Sequence, residues 1–357
     1  MEQVWWKQIT NAANFIQSIV CRLIAQKSVA LLLPEGMPWK DAFENVVIEK
    51  VTPEDSQRIF DVMESPAGDV GKFMLERYCD EDKRSEYRSC VTQAAFLAGR
   101  DDIPLNDRFG GVKGIKARTM GEWLAFVSDY RANLPKGRPP AVFILETSES
   151  DAVRPTKGID IISFDSSISP FDAYTFCMLA ISPLRMKDEL KTYCAEITSQ
   201  LCGRDVELCA LCLGFGKDFF AQPADFVTRI NESVRSTGEP FRLDLSMEMI
   251  RRRVWKAQIK TLFPLIEDFR LSFVRRHRTL VESGLPITGS NGERITVPEE
   301  AGLGELYHMF KNGVFVTVSD SEKNQLTRFR EWRNTLAHCS ILSLKEVEKL
   351  LSEQIPD

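Results

Sequence analysis

Apolar and polar residues follow two different rhythms along the chain. From Trp5 to Gln26 the positions Ala13, Ile16, Val20, Leu23 and Ile24 recur at helical spacing, which predicts a helix with one buried face. Ser28-Val-Ala-Leu-Leu-Leu33 is then a continuous apolar run closed by Pro34, as expected of a parallel strand buried on both faces. A helical period resumes over 38–47. Gly114–Ala117 predicts a strand. The next helix is expected over Trp123–Tyr130, with Thr119 as its cap because Glu122 lies three residues on. Ala141–Leu145, closed by Glu146, and Gly158–Phe164, closed by Asp165, are two further strand-length runs. Strands alternating with helices at this spacing predict an α/β layer fold with a mostly parallel sheet. From Ser169 to about residue 233 the pattern is helical.

The last third carries no sheet pattern. Leu245–Val281 is one long helical stretch with Ile250, Val254, Leu262, Ile266, Phe269 and Phe273 on its apolar stripe, and Pro264 is expected to kink it. Leu285–Arg294 reads as a loop and Gly304–Asn312 as a short helix. A helix capped by Ser319 or Asp320 runs through Leu326, Phe329 and Leu336. Ser343 and Glu346 then form a capping box that opens a final helix. This gives four helices.

Charge changes the picture at one point. The 357 residues carry 46 Lys+Arg against 51 Asp+Glu, a net of −5, which excludes a bulk polyanion binder. Phe241–Asp357 nevertheless holds 18 basic against 16 acidic residues, concentrated in Arg251-Arg-Arg-Val-Trp-Lys256 and Arg275-Arg-His-Arg278. That asymmetry predicts a boundary near 235–245, with Ser236–Pro240 as linker. The expected domains are an α/β sensor or regulatory domain over 1–240, with a helical second half, and a helical domain over 241–357. Apolar runs are too short for a membrane helix, and the N-terminus lacks the basic start of a signal peptide. The nine cysteines are scattered rather than spaced as a framework, which points to a reducing, cytoplasmic compartment. Cys209-Ala-Leu-Cys212 lacks the second pair a zinc site needs, and reads as two buried thiols. No metal or cofactor is expected.

The strongest chemical signal is Arg333-Asn-Thr-Leu-Ala-His338, near the end of the penultimate helix. A guanidinium offers a planar fork of donors that suits a phosphodiester. An imidazole accepts and donates a proton near neutral pH. Together they suffice for metal-free cleavage of RNA, with the 2′-hydroxyl as nucleophile. Asn334 can hold the imidazole tautomer or touch the phosphate. The bland alternative is a solvated Arg and His at a helix terminus. Arg251, Arg252, Lys256 and Arg275 are candidates for an RNA track, with Trp255 either stacking on a base or packed inward. His277 reads as solvated and His308 as structural.

Arg333, Asn334 and His338, after a long kinked helix, resemble the signature of the HEPN superfamily: Arg, a polar residue, a short spacer, then His. The resemblance covers about residues 245–353. It implies a small all-α bundle, a metal-independent endoribonuclease, and an active cleft formed across a homodimer. Arg333, His338 and Asn334 are the catalytic set it implies, with Glu267 and Arg270 as polar supports. By analogy it suits prokaryotic phage defence or a toxin–antitoxin system with operon-encoded partners. Inactive members serve as scaffold or dimerisation subunits, the competing reading.

The first part weakly resembles a degenerate P-loop ATPase core of the AAA/STAND kind. Ala141–Glu146 is similar to a strand ending in an acid, but Pro34-Glu-Gly-Met-Pro-Trp-Lys40 cannot cradle phosphate: prolines remove N–H donors and Trp39 adds bulk. Lys40 and Glu146 are the residues to watch if a nucleotide binds. Gly110–Gly114 reads as a turn.

Overall fold

The computed structural model describes residues 1–164, 169–289 and 292–353. It divides into two compact units, Met1–Asp172 and Ala173–Asp357.

The first unit is built on five parallel strands: β1 (Ser28–Leu32), β2 (Ile59–Glu64), β3 (Arg108–Lys113), β4 (Val142–Thr147) and β5 (Ile159–Ser163). Their order in the sheet is β2-β3-β4-β1-β5. The chain leaves β1, starts again at the far edge, works inward to β4 beside β1, and ends with β5 on the other side. Val29 pairs with Ile144 and Ala30 with Ile161. All six β4 residues are buried, because helices cover both faces. Ala30, Val112, Phe143 and Leu145 face a core closed by α4 (Val70–Tyr78), α6 (Gln93–Gly99) and α7 (Ala117–Ala132). On the other face, α1 (Glu2–Gln8), α2 (Thr10–Ile24) and α3 (Lys40–Val51) bring Trp6 against Phe43 and Phe164. A short helix, α5 (Glu81–Ser85), lies between α4 and α6.

Four expectations for this unit need correction. The first helix is two, broken at Ile9, whose extended backbone (ψ 118) lets Trp5, Trp6 and Ile9 all reach the core. The Gly110–Gly114 run is strand rather than turn: β3 ends at Lys113, and Gly114–Lys116 connects it to α7. Glycine is needed there because a Cβ on Gly110 would stand 3.1 Å from the Phe143 ring. Thr119 does not cap α7. The Glu149 carboxylate, from beyond β4, accepts the Ala117 N–H at 2.8 Å instead. Edge strand β2 went unpredicted because its pattern is poor: Ile59 and Val62 are exposed. The expected end of the last strand, Asp165, lies outside the described residues.

The second unit is helical: α8 (Pro170–Ile181, within which the division falls), α9 (Asp188–Cys202), α10 (Val206–Gly214), α11 (Lys217–Ala221), α12 (Val227–Asn231), α13 (Met247–Arg276), α14 (Arg278–Ser283), α15 (Leu303–Lys311), α16 (Asp320–Ala337) and α17 (Leu344–Ser352). The expected boundary at 240/241 is not where the chain divides. Residues 173–240 belong with the rest because α9 packs along α13: Arg253 donates to the Gln200 and Leu201 carbonyls, and Lys260 pairs with buried Glu196 at 2.6 Å. Ser236–Pro240 is no free linker either, since Arg235 pairs with Asp205 and Ser236 bonds Glu207.

From 241 onward the described residues hold five helices rather than four, because the chain turns at His277 and restarts as α14. The expected loop carries a two-stranded hairpin, β6 (Ile287–Thr288) and β7 (Arg294–Ile295), whose Ser290 and Asn291 lie outside the described residues. Pro264 sits inside α13 on its exposed side, where the missing N–H bond faces water. Ser319 caps α16, and Ser343 with Glu346 closes the expected capping box.

Candidate functional site

Helix α16 presents the Arg/His motif on its last turn. Leu326, Phe329, Trp332 and Leu336 bury one face, and Phe329 stacks on Phe269 of α13 with ring centroids 3.9 Å apart. That leaves Arg333 and His338 exposed and Asn334 and Thr335 half-buried. Arg333 reaches the Asn334 side-chain oxygen at 3.4 Å. His338 is the C-cap, and its N–H bonds the Asn334 carbonyl. Cys339 then turns left-handed (φ 56), so the N–H groups of Cys339 and Ser340 close back on the carbonyls of Leu336 and Thr335. This is a Schellman ending in which cysteine replaces the usual glycine. It turns the chain sharply just beyond His338.

Two residues of α13 hold this corner from below. Trp255 donates its indole N–H to the Leu336 carbonyl at 2.8 Å. Gln258, fully buried, donates to the Leu342 carbonyl at 2.8 Å and accepts the Leu342 N–H at 2.8 Å, while its amide also donates to the Tyr193 hydroxyl at 3.0 Å. The segment bearing His338 is therefore bolted on both sides. Gln258 was missed in the sequence. Its signal was a polar residue on the apolar stripe, between Val254 and Leu262 at i±4.

The predicted basic track divides. Exposed Arg251, Arg252 and Lys256 lie on the turns of α13 around Trp255, and so at the same end of the unit as Arg333 and His338. Arg275 is 20 residues further along, about 30 Å at 1.5 Å per residue, and does not join them. Glu267 and Arg270 are also remote from the corner. They pair with each other at 2.7 Å, and Arg270 bonds the Glu299 and Ala301 carbonyls. Their role is to anchor that loop, not to support the Arg/His pair. His277 is not solvated: it is half-buried, 4.6 Å from the Phe273 ring, and bonded to Glu322 at 3.1 Å. His308 is exposed and meets the Asn312 amide at 2.8 Å.

In the first unit, a cavity of about 220 Å³ lies at the carboxyl ends of β1, β3 and β4, lined by Pro34, Glu35, Lys40, Lys116, Glu146 and Thr147 among others. It lies beside the point where the strand order reverses, the usual place for a ligand in an open parallel sheet. The two residues marked in the sequence meet there: the Lys40 ammonium is 2.6 Å from the buried Glu146 carboxylate. Burial pushes the Glu146 carboxyl upward, and Lys40 only partly opposes it. Trp39 ahead of Lys40 has a left-handed backbone (φ 43), a strained state for so bulky a residue. The first turn of α3 has no side-chain cap.

Among the described residues no group of three or more His, Cys, Asp or Glu side chains is arranged to hold a metal ion, and no helix is long and apolar enough to cross a membrane. No family model matches the chain, and no curated protein matches it. Among solved structures, a chain of "Structure of Drosophila ORC bound to DNA" aligns over 98% of this chain and 74% of its own, at 12% identity and a TM-score of 0.28. A likeness that low carries no argument about fold or partner.

Proposed function

We propose that the second unit is a metal-independent endoribonuclease of the HEPN kind. The observation that carries this reading is that Arg333 and His338 stand exposed on one anchored helix corner, with exposed Arg251, Arg252 and Lys256 at the same end of the unit. In this reading the imidazole takes the proton of a ribose 2′-hydroxyl. The oxygen attacks the adjacent phosphorus, and the Arg333 fork neutralises charge on the phosphorane. The proton then returns to the departing 5′-oxygen. The products are a 2′,3′-cyclic phosphate and a 5′-hydroxyl. DNA, without the 2′-hydroxyl, is refractory. Asn334 orients Arg333, which already touches it. Two copies meeting at this corner would place two such pairs about one cleft. The first unit acts as the regulatory part, in a phage-defence or toxin–antitoxin setting.

The test is single-stranded RNA incubated in EDTA with the wild type and with His338→Ala. Cleavage by the first alone, with cyclic-phosphate ends, supports the reading. No cleavage by either, alone or with operon-encoded partners, ends it. The scaffold reading is favoured by one observation: Lys40, on the wall of the first unit's crevice, is held by Glu146, as suits a core that turns over no nucleotide.

A further inference from the structure

Four of the second unit's cysteines come from three helices to one place. Cys177 is on α8, Cys202 is the last residue of α9, and Cys209 and Cys212 lie one turn apart on α10. Gly203, with φ 64, allows the tight turn that folds the end of α9 against α10. The Cys202 and Cys212 sulfurs are 3.7 Å apart. The Cys202 S–H faces the Cys212 sulfur, and Cys177 and Cys209 pack beside that pair. Cys177, Cys209 and Cys212 are fully enclosed, while Cys202 keeps 8% of its surface. The sequence alone offered only the Cys209/Cys212 pair. Packing supplies the other two.

We propose that Cys202 and Cys212 are a dithiol–disulfide pair, closed by a two-electron oxidant of the peroxide class and reopened by thiol reductants. Closing the bond brings the 3.7 Å separation to about 2.05 Å. Cys202 is the point of entry, because it alone of the four keeps any residual exposure, and that opening admits only a small oxidant. The Cys202 sulfur gives up its proton as it attacks a peroxide oxygen. The O–O bond breaks. One oxygen stays on Cys202 as sulfenic acid, and the other takes up the Cys202 proton and leaves as water. The Cys212 sulfur then attacks the Cys202 sulfur, and its proton departs with the hydroxyl as a second water. Two thiols are oxidised, one peroxide is reduced, and two waters form. Burial pushes the Cys202 thiol well above its ordinary range, so its oxidation is slow and needs excess peroxide.

The experiment treats the full chain with hydrogen peroxide, quenches, denatures, alkylates and maps peptides by mass spectrometry. The proposal expects a mass loss of two hydrogen atoms, and Cys202 and Cys212 blocked to alkylation until reductant is added, with Cys177 and Cys209 still open. A triple variant lacking the exposed thiols (Cys21→Ser, Cys90→Ser, Cys339→Ser) should behave the same. Cys212→Ser should instead trap a Cys202 sulfenic acid that a dimedone probe labels. Full alkylation of Cys202 and Cys212 after peroxide overturns the proposal. So does a disulfide that uses Cys209, or one zinc ion per chain in native mass spectrometry with all four thiols protected.

Discussion

Gln258 and Leu342 exchange hydrogen bonds in both directions, each 2.8 Å, so that one side-chain amide pairs with a backbone unit as a neighbouring strand would. Neither group has access to water. The pairing fixes the chain four residues beyond His338, and Trp255 fixes it two residues before.

Replacing Gln258 with Leu should therefore cost about 2–4 kcal/mol, because it strands the Leu342 N–H and C=O, and the Tyr193 hydroxyl, without partners. Urea unfolding monitored by circular dichroism checks this. An unchanged midpoint would show that the amide clamp carries no weight.

His338→Ala should leave that midpoint within about 0.5 kcal/mol, since the imidazole is exposed and outside the core. RNA cleavage should fall by roughly 10²–10⁴-fold. Arg333→Lys should also fall, because a point charge does not replace a planar fork. Gel assays in EDTA alongside thermal melts separate the two effects.

Glu146 makes the first unit's stability depend on pH. Its folded-state carboxyl is raised by burial, so folding takes up a proton there. That contribution is complete below the ordinary glutamate range and is lost as pH rises through the raised value. The first unit should thus gain stability on mild acidification from neutral pH, as far as this group governs it. Glu146→Gln should flatten the profile. Thermal melts of both proteins between pH 4 and pH 8 measure it. A slope that survives in the variant would assign the dependence to other groups.

Gly110→Ala would push a methyl to 3.1 Å from the Phe143 ring. The expected cost is about 1–3 kcal/mol from overpacking. Phe143→Leu in the same chain should recover part of it. An additive double variant would refute the contact.

Phe329→Ala should cost about 3–5 kcal/mol, because it removes a fully buried ring stacked on Phe269. It should also loosen the corner that bears His338, read as faster amide exchange over 333–340.

Legibility varied with how local the cause was. The buried strands at Ser28–Leu32 and Val142–Thr147 stood out because helices on both faces favour a continuous apolar run, here 29–32 and 142–145. Edge strand β2 has one poorly covered face and lost that signal. The caps at Ser319 and Ser343 were legible because partner and cap lie within one turn. The cap of α7 was not, because Glu149 arrives from beyond the following strand. In the same way the Arg/His spacing was visible, while Glu267 and Arg270, attached to it by the resemblance, and Arg275, attached as part of the basic track, lie far along α13, a helix about 45 Å long.

The sequence by itself determined the alternation of strands and helices, the residues available for chemistry, and the helix ends closed by their own neighbours, because these follow from periodicity and short-range hydrogen bonding. Tertiary structure alone decided that residues 173–240 join the second unit, that Lys40 meets Glu146, that Gln258 clamps Leu342, and that Cys202 meets Cys212. Each of those depends on surfaces that come together only when separate elements pack, and no local pattern encodes which distant partner will fill a buried polar group's remaining bond.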